Sequence, residues 1–321
     1  MTTTRTTGGT GRREVVEDPY GLEARRRALK ARRLRRGWVA LGLVVPAAVA
    51  YAVFVLRPLA LTVQYSFYDW NGVTESTFVG LDNYTRLLGS TERLASIGNA
   101  LELIIYFSFV PVILGLLVAA TIRKFATSRL ALASRTVLFL PQVIPLVAAG
   151  IMWTWLLASD GLVNEVMRAI GLGSVTKAWL GDTGSALPAV GVIGAWVALG
   201  LCMLLLLAGM TKIDPALYEA ARIDGAGAVR EFFAITLPSV RQEIGVCVTV
   251  TVISALAAFD IVYISTQGGP ANATLVPGLE IYRLGFFSRE VGQASALAVV
   301  FMALVLAIVL PIQRLTREED R

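Results

Sequence analysis

Six stretches of the chain are apolar almost without interruption, and short polar segments separate them. They run roughly over Gly37–Leu56, Ile97–Ala120, Thr136–Leu157, Leu187–Met210, Ile244–Ile264 and Gln293–Leu310. A helix needs about 20 apolar residues to cross the hydrocarbon of a bilayer, and each stretch is of that order. Pro46, Pro111, Pro141 and Pro145 fall in or beside these stretches. Neighbouring helices can satisfy the backbone groups a proline frees, so the six are read as spans. The pattern predicts an all-α integral membrane protein with six transmembrane helices over 37–314. A basic extension (1–36) precedes that domain and a tail (315–321) follows it.

Composition agrees: 55% of the residues are hydrophobic, 16% are charged and the mean hydropathy is +0.66. Those values are far more apolar than a soluble domain of this length. Orientation follows from Lys and Arg. With the N-terminus inside, eleven of the 29 fall in residues 1–37, four in the second–third connection, four in the fourth–fifth and three in the tail. Only seven are left for the other side, so both termini and the fourth–fifth connection are placed in the cytoplasm. The extension, ending in Arg25-Arg-Arg-Ala-Leu-Lys-Ala-Arg-Arg-Leu-Arg-Arg36, reads as a positive-inside anchor that touches anionic membrane lipid. No aromatic platform accompanies its charge, so nucleic acid is not read as a partner. Cys202 and Cys247 lie inside spans and read as packing residues; there is no histidine. No metal site and no catalytic acid–base set is expected.

One polar connection stands out, the loop over about 211–240. Asp214 can cap the first turn of a helix, Pro215 suits its first position, and Gly225 can take the left-handed backbone that closes it. About nine residues should form a short rod. Ala220 and Ala221 keep one side slim, while Glu219, Arg222 and Asp224 supply charge. A second short run, Ala228 to Ile235, is expected to stop at Leu237-Pro238. Such a rod can seat in a groove on a partner.

This loop closely resembles the Glu-Ala-Ala loop of ABC-importer permeases, with Glu219, Ala220, Ala221, Gly225, Leu237 and Pro238 at its pattern positions. Other blocks are similar to the carbohydrate branch related to maltose and glycerol-phosphate permeases. They are Ser66-Phe-Tyr-Asp-Trp70, Phe78-Val-Gly-Leu-Asp-Asn-Tyr84, Arg135-Thr-Val-Leu-Phe-Leu-Pro141, Trp179-Leu-Gly-Asp182 and Phe259-Asp-Ile-Val-Tyr-Ile-Ser-Thr-Gln-Gly-Gly-Pro270. Ser265 stands where the branch often has Leu, and Ala228-Val229 where it often has Ser and an aromatic residue.

The resemblance implies a type I importer permease with a cytoplasmic coupling helix. It also implies a second homologous permease, an ABC ATPase dimer and an extracytoplasmic substrate-binding protein. The string Gly171-Leu-Gly-Ser-Val-Thr-Lys177 lacks the Gly before Lys and the hydroxyl residue after it that a P-loop needs. No cofactor is therefore expected in this chain, ATP and Mg²⁺ being used by the partner ATPases. Glu219 is expected to make the coupling contact, Gly225 to fix the rod's angle so that bulk there displaces it, and Asp224 to be a contact or a turn former. Mid-span polar and aromatic residues line translocation paths, which nominates Trp196, Thr251, Ser254 and Asp260. Asp260 is read either as path-lining or as a helix–helix hydrogen bond near the outer end. Trp153, Trp155 and Trp196 could stack on sugar rings or serve as interfacial belts. The substrate reads as a sugar; a permease for glycerol-phosphate, amino acids or peptides is the alternative.

Overall fold

The computed structural model describes residues 42, 44–125 and 128–316; the basic extension over 1–36 and the tail beyond residue 316 lie outside them. Residues up to Ala60 and those from Leu61 group as two units. In the first unit the described residues are helical and exposed.

In chain order the elements are α1 (Val44–Tyr65), β1 (Tyr68–Asp69), β2 (Thr77–Phe78), α2 (Asp82–Gly89), α3 (Thr91–Lys124), α4 (Arg129–Val143), α5 (Leu146–Leu156), α6 (Leu162–Ala169) and α7 (Ala186–Met210). Then come α8 (Pro215–Ile223), α9 (Ala228–Ser239), α10 (Arg241–Leu256), α11 (Phe259–Ser265), α12 (Pro277–Tyr282) and α13 (Val291–Thr316). Among the described residues four helices are long and apolar enough to cross a bilayer, and two bent pairs bring the count to as many as six. The fold is thus helical and membrane-spanning, as expected. It departs from a purely α fold in one detail: β1 and β2 pair antiparallel, with Asn71 accepting from the amides of Val73 and Thr74 in the turn between them.

Prolines act in two ways. Three π-turns, at Ala52–Leu56, Ile105–Phe109 and Phe232–Thr236, each sit just before a proline: Pro58, Pro111 and Pro238. The wider turn makes room where a prolyl ring would otherwise meet the carbonyl four residues back, and the helix continues. The first span therefore runs on to Tyr65 rather than ending at Leu56, and α9 does not stop at Leu237-Pro238 but continues to Ser239. Pro145 has no such relief. Proline pushes the residue before it toward extended backbone, and Ile144 is extended. As a result α4 and α5 meet at 102°, so the third expected span is a bent pair. The second bent pair is α9 and α10, which meet at 69°; the fifth expected span is broken again at Ala257–Ala258, between α10 and α11, where neither Pro nor Gly stands.

Helix α7 is the hub. Its buried side chains enter both large core clusters, one with Leu103, Phe107, Ile261 and Leu279, the other with Leu116, Ala119, Cys247 and Tyr218. Small residues let its backbone approach its neighbours. A Cβ at Gly194 would lie 2.1 Å from Cζ of Phe107, and one at Gly200 would lie 2.3 Å from the carbonyl oxygen of Leu138.

At one end, the motif residues of the first connection tie the hairpin down. Asn83, 2% exposed, donates to the carbonyls of Ser66 and Tyr68 at 3.0 and 2.9 Å. The hydroxyls of Tyr84 and Ser66 lie 2.6 Å apart. Asn164 does the same for the connection after α6, donating to the carbonyls of Ala158 and Lys177 while accepting from Nε1 of Trp179. These blocks are scaffolding. A buried side-chain amide that ties loop carbonyls costs about 1–3 kcal/mol to leave unpaired.

Candidate functional site

The rod of the fourth–fifth connection forms where local chemistry directs. Oδ1 of Asp214 accepts from the amide of Ala216 at 2.9 Å, Pro215 occupies the first turn, and the helix ends at Ile223. Gly225, at φ +75°, closes it. The amide of Ala226 reaches the carbonyl of Ala221 at 2.9 Å and that of Gly225 reaches Arg222 at 3.0 Å. This pair of bonds is the Schellman pattern. Nothing lies within 4 Å of a Cβ built on Gly225. Within this chain, what a side chain at Gly225 meets is the left-handed backbone rather than a neighbouring atom.

Because nine residues cannot hold a helix in water unaided, the rod is braced by contacts that sequence reading missed. The hydroxyls of Tyr218 and Thr236 lie 2.9 Å apart and buried. The guanidinium of Arg123, at the end of α3, lies 4.0 Å above the Tyr218 ring. Nε of Arg222 donates to Oε1 of Glu231 at 2.9 Å. That hydrogen bond to Glu231 holds the Arg222 guanidinium above its ordinary pKa. Glu231 itself is buried. One signal was available: Tyr218 and Thr236 each directly precede a recognised motif pair, Glu219-Ala220 and Leu237-Pro238.

The outward side is different. Glu219, Ala220, Asp224 and Gly225 are exposed, Ala221 is half-buried, and Ile223 is 87% exposed. Glu219 and Ile223 stand four residues apart and so share a face. Leu217, Val229 and Phe233 add exposed apolar surface nearby. Exposed apolar side chains interspersed with charged ones have the composition of a contact patch. Leu237 is half-buried against the second core cluster and Pro238 is exposed. Replacing Asp214 with Ala removes the cap and should cost about 1 kcal/mol of local helix stability. Amide hydrogen exchange of residues 216–218 should then quicken several-fold, and unchanged exchange would refute the cap's role.

The four substrate-path candidates do not assemble. Trp196 is half-buried, its ring edge-on to Trp153 at 5.5 Å. Thr251 is buried, its hydroxyl 2.7 Å from the Cys247 carbonyl and 2.8 Å from Oγ of Ser108. Ser254 is exposed and bonds back to Val250. Asp260 is exposed in the first turn of α11, with no hydrogen-bond or ion-pair partner among the described residues. The helix–helix hydrogen bond expected of it is not formed. Trp155 is 77% exposed, whereas the Nε1 of Trp153 is buried and unpartnered among the described residues.

Comparison with known proteins gives consistent matches. Residues 111–315 match the family described as binding-protein-dependent transport system inner membrane component. A diacetylchitobiose uptake system permease protein of Streptomyces coelicolor is 33% identical, over 98% of this chain and 93% of its own length. A trehalose/maltose transport system permease protein of Thermococcus litoralis is also 33% identical, over 87% of this chain and 92% of its own. Among solved structures, a chain of a bacterial alginate ABC transporter, in complex with an alginate pentasaccharide-bound periplasmic protein, matches with a TM-score of 0.74. It is 25% identical over 89% of this chain and 96% of that one.

Proposed function

Because the chain belongs to the family of binding-protein-dependent transport system inner membrane components, we propose that its capped rod is the point where a partner ATPase pushes on the membrane domain of a sugar importer. The observation that carries this reading is the contrast between the two sides of α8. Inward, the Tyr218–Thr236 and Arg222–Glu231 pairs and the Arg123 cation over Tyr218 bind the rod to α3 and α9. Outward, Glu219 and Ile223 are free for a partner. A load on the tip therefore passes into the helices rather than bending a loop.

In this reading Glu219 pairs with basic or hydrogen-bonding groups of the ATPase, Asp224 and Gly225 set the end of the rod, and Ala220 and Ala221 let it seat closely. ATP and Mg²⁺ are handled by the ATPase dimer. Its closure rocks α7, α10 and their counterparts in a second permease subunit between outward- and inward-facing arrangements. The N- and C-termini and the rod lie on the cytoplasmic side, and a binding protein delivers substrate on the other. That the relatives are named for oligosaccharides supports a sugar. Trp153 and Trp196 would supply aromatic faces; Asp260 and Ser254 are the exposed polar groups further along.

Copurification tests the docking. A chain carrying Glu219→Lys and Ile223→Asp, expressed with its companions, should retain the second permease but hold the ATPase on the order of tenfold less, as expected when hot-spot contacts are removed. Undiminished ATPase retention would overturn the assignment.

A further inference from the structure

A cavity of about 400 Å³ opens between the charged end of α3 and the inner flank of the rod. It is lined by Arg123, Lys124 and Arg222, by the buried carboxylate of Glu231 and the exposed one of Glu219, which borders both this cavity and the open face of the rod, and by Thr121, Tyr218 and Thr236, whose hydroxyls are held by the Leu117 carbonyl and by each other. The charges do not cancel. Arg222 faces Glu231 and feels Glu219, which leaves Arg123 and Lys124 without a carboxylate partner among the described residues. Arg123 is partly spent on the Tyr218 ring, yet its charge persists. Three cations face two carboxylates, so one positive charge is in surplus, and that suits a phosphate-bearing anion.

A second feature identifies which kind. Ile113 and Leu117 are exposed on α3, and Thr121 and Lys124 continue the same line. Residues spaced by four, four and three lie on one helix face. An apolar strip therefore runs along a membrane span and ends at the basic mouth of the cavity. A free phosphate has no use for that strip; an acyl chain does. Basic pockets at the ends of spans are where lipid headgroups bind.

We propose that this cavity binds the headgroup of an anionic phospholipid whose acyl chain lies along Ile113 and Leu117. The bound lipid would fill the space behind the rod and so stiffen it. The proposal goes beyond the importer assignment and does not depend on it.

The test uses the importer complex carrying the full chain, purified in detergent and titrated with phosphatidylglycerol, phosphatidylcholine and inorganic phosphate, with bound species counted by native mass spectrometry. Phosphatidylglycerol should be retained and phosphatidylcholine and phosphate should not. Arg123→Gln with Lys124→Gln should weaken retention about thirtyfold, the loss expected of two basic groups beside an anionic lipid. The swap Arg123→Lys with Lys124→Arg preserves charge and should keep retention, which guards against a mere folding defect. A photo-crosslinker at Thr121 should label lipid. Equal retention by the neutralised variant, competition by inorganic phosphate, or crosslinking to protein in place of lipid would each overturn the proposal.

Discussion

Gly225→Val is expected to abolish solute uptake while the external binding protein still captures its ligand. At φ +75° an ordinary side chain is disfavoured by roughly 1–2 kcal/mol, and a β-branched one more strongly. The strain cannot be relieved without losing the two bonds that close the rod, from Ala226 to Ala221 and from Gly225 to Arg222. Their loss frays the turn that holds Arg222 against Glu231, so the rod's tip moves relative to α9. Because open space surrounds the position, the order of effect should follow backbone tolerance and not size. Asn, which visits the left-handed region most readily, should preserve a large part of uptake. Asp should be worse than Asn, since it also sets a negative charge beside Asp224 at the helix's negative end. Uptake by right-side-out vesicles and ligand capture by the binding protein separate the two steps. Normal uptake by the Val variant would remove the rod from the coupling path.

Gly200→Ala should destabilise the membrane domain by about 3 kcal/mol, the upper part of the usual range for overpacking. The added methyl would fall 2.3 Å from the Leu138 carbonyl oxygen and 2.7 Å from the Phe139 Cα. Both are backbone atoms, which cannot rotate aside, so α4 would have to separate from α7. Gly98→Ala is the control. Nothing lies within 4 Å of that Cβ, and removing a helical glycine should stabilise by up to about 1 kcal/mol. Thermal unfolding in detergent should show the two substitutions moving the midpoint in opposite directions. A shift of the same sign for both would mean that α4 and α7 do not pack as described.

What could be read from residues alone was whatever neighbouring residues settle between themselves. Asp214, Pro215 and Gly225 fixed both ends of the rod because capping bonds join groups only a few positions apart. The run Leu187–Met210 foretold α7 to within a residue, since a helix apolar on every side needs no pattern beyond apolarity. Prolines were harder. Pro111 and Pro145 look alike in a hydropathy profile, yet a π-turn absorbs one and the other bends the chain by 102°.

The chain's own letters determined that it enters a membrane, where its polar rod begins and ends, and which side chains crown that rod. They could do so because hydropathy and capping are local. Only tertiary packing decided that Tyr218 meets Thr236 eighteen positions on, that Glu231 answers Arg222, that Arg123 closes over Tyr218, and that Thr251 turns inward to Ser108 while Asp260 stays bare. Which face of a helix a neighbour covers depends on residues far away in sequence, and no run of apolar positions encodes it.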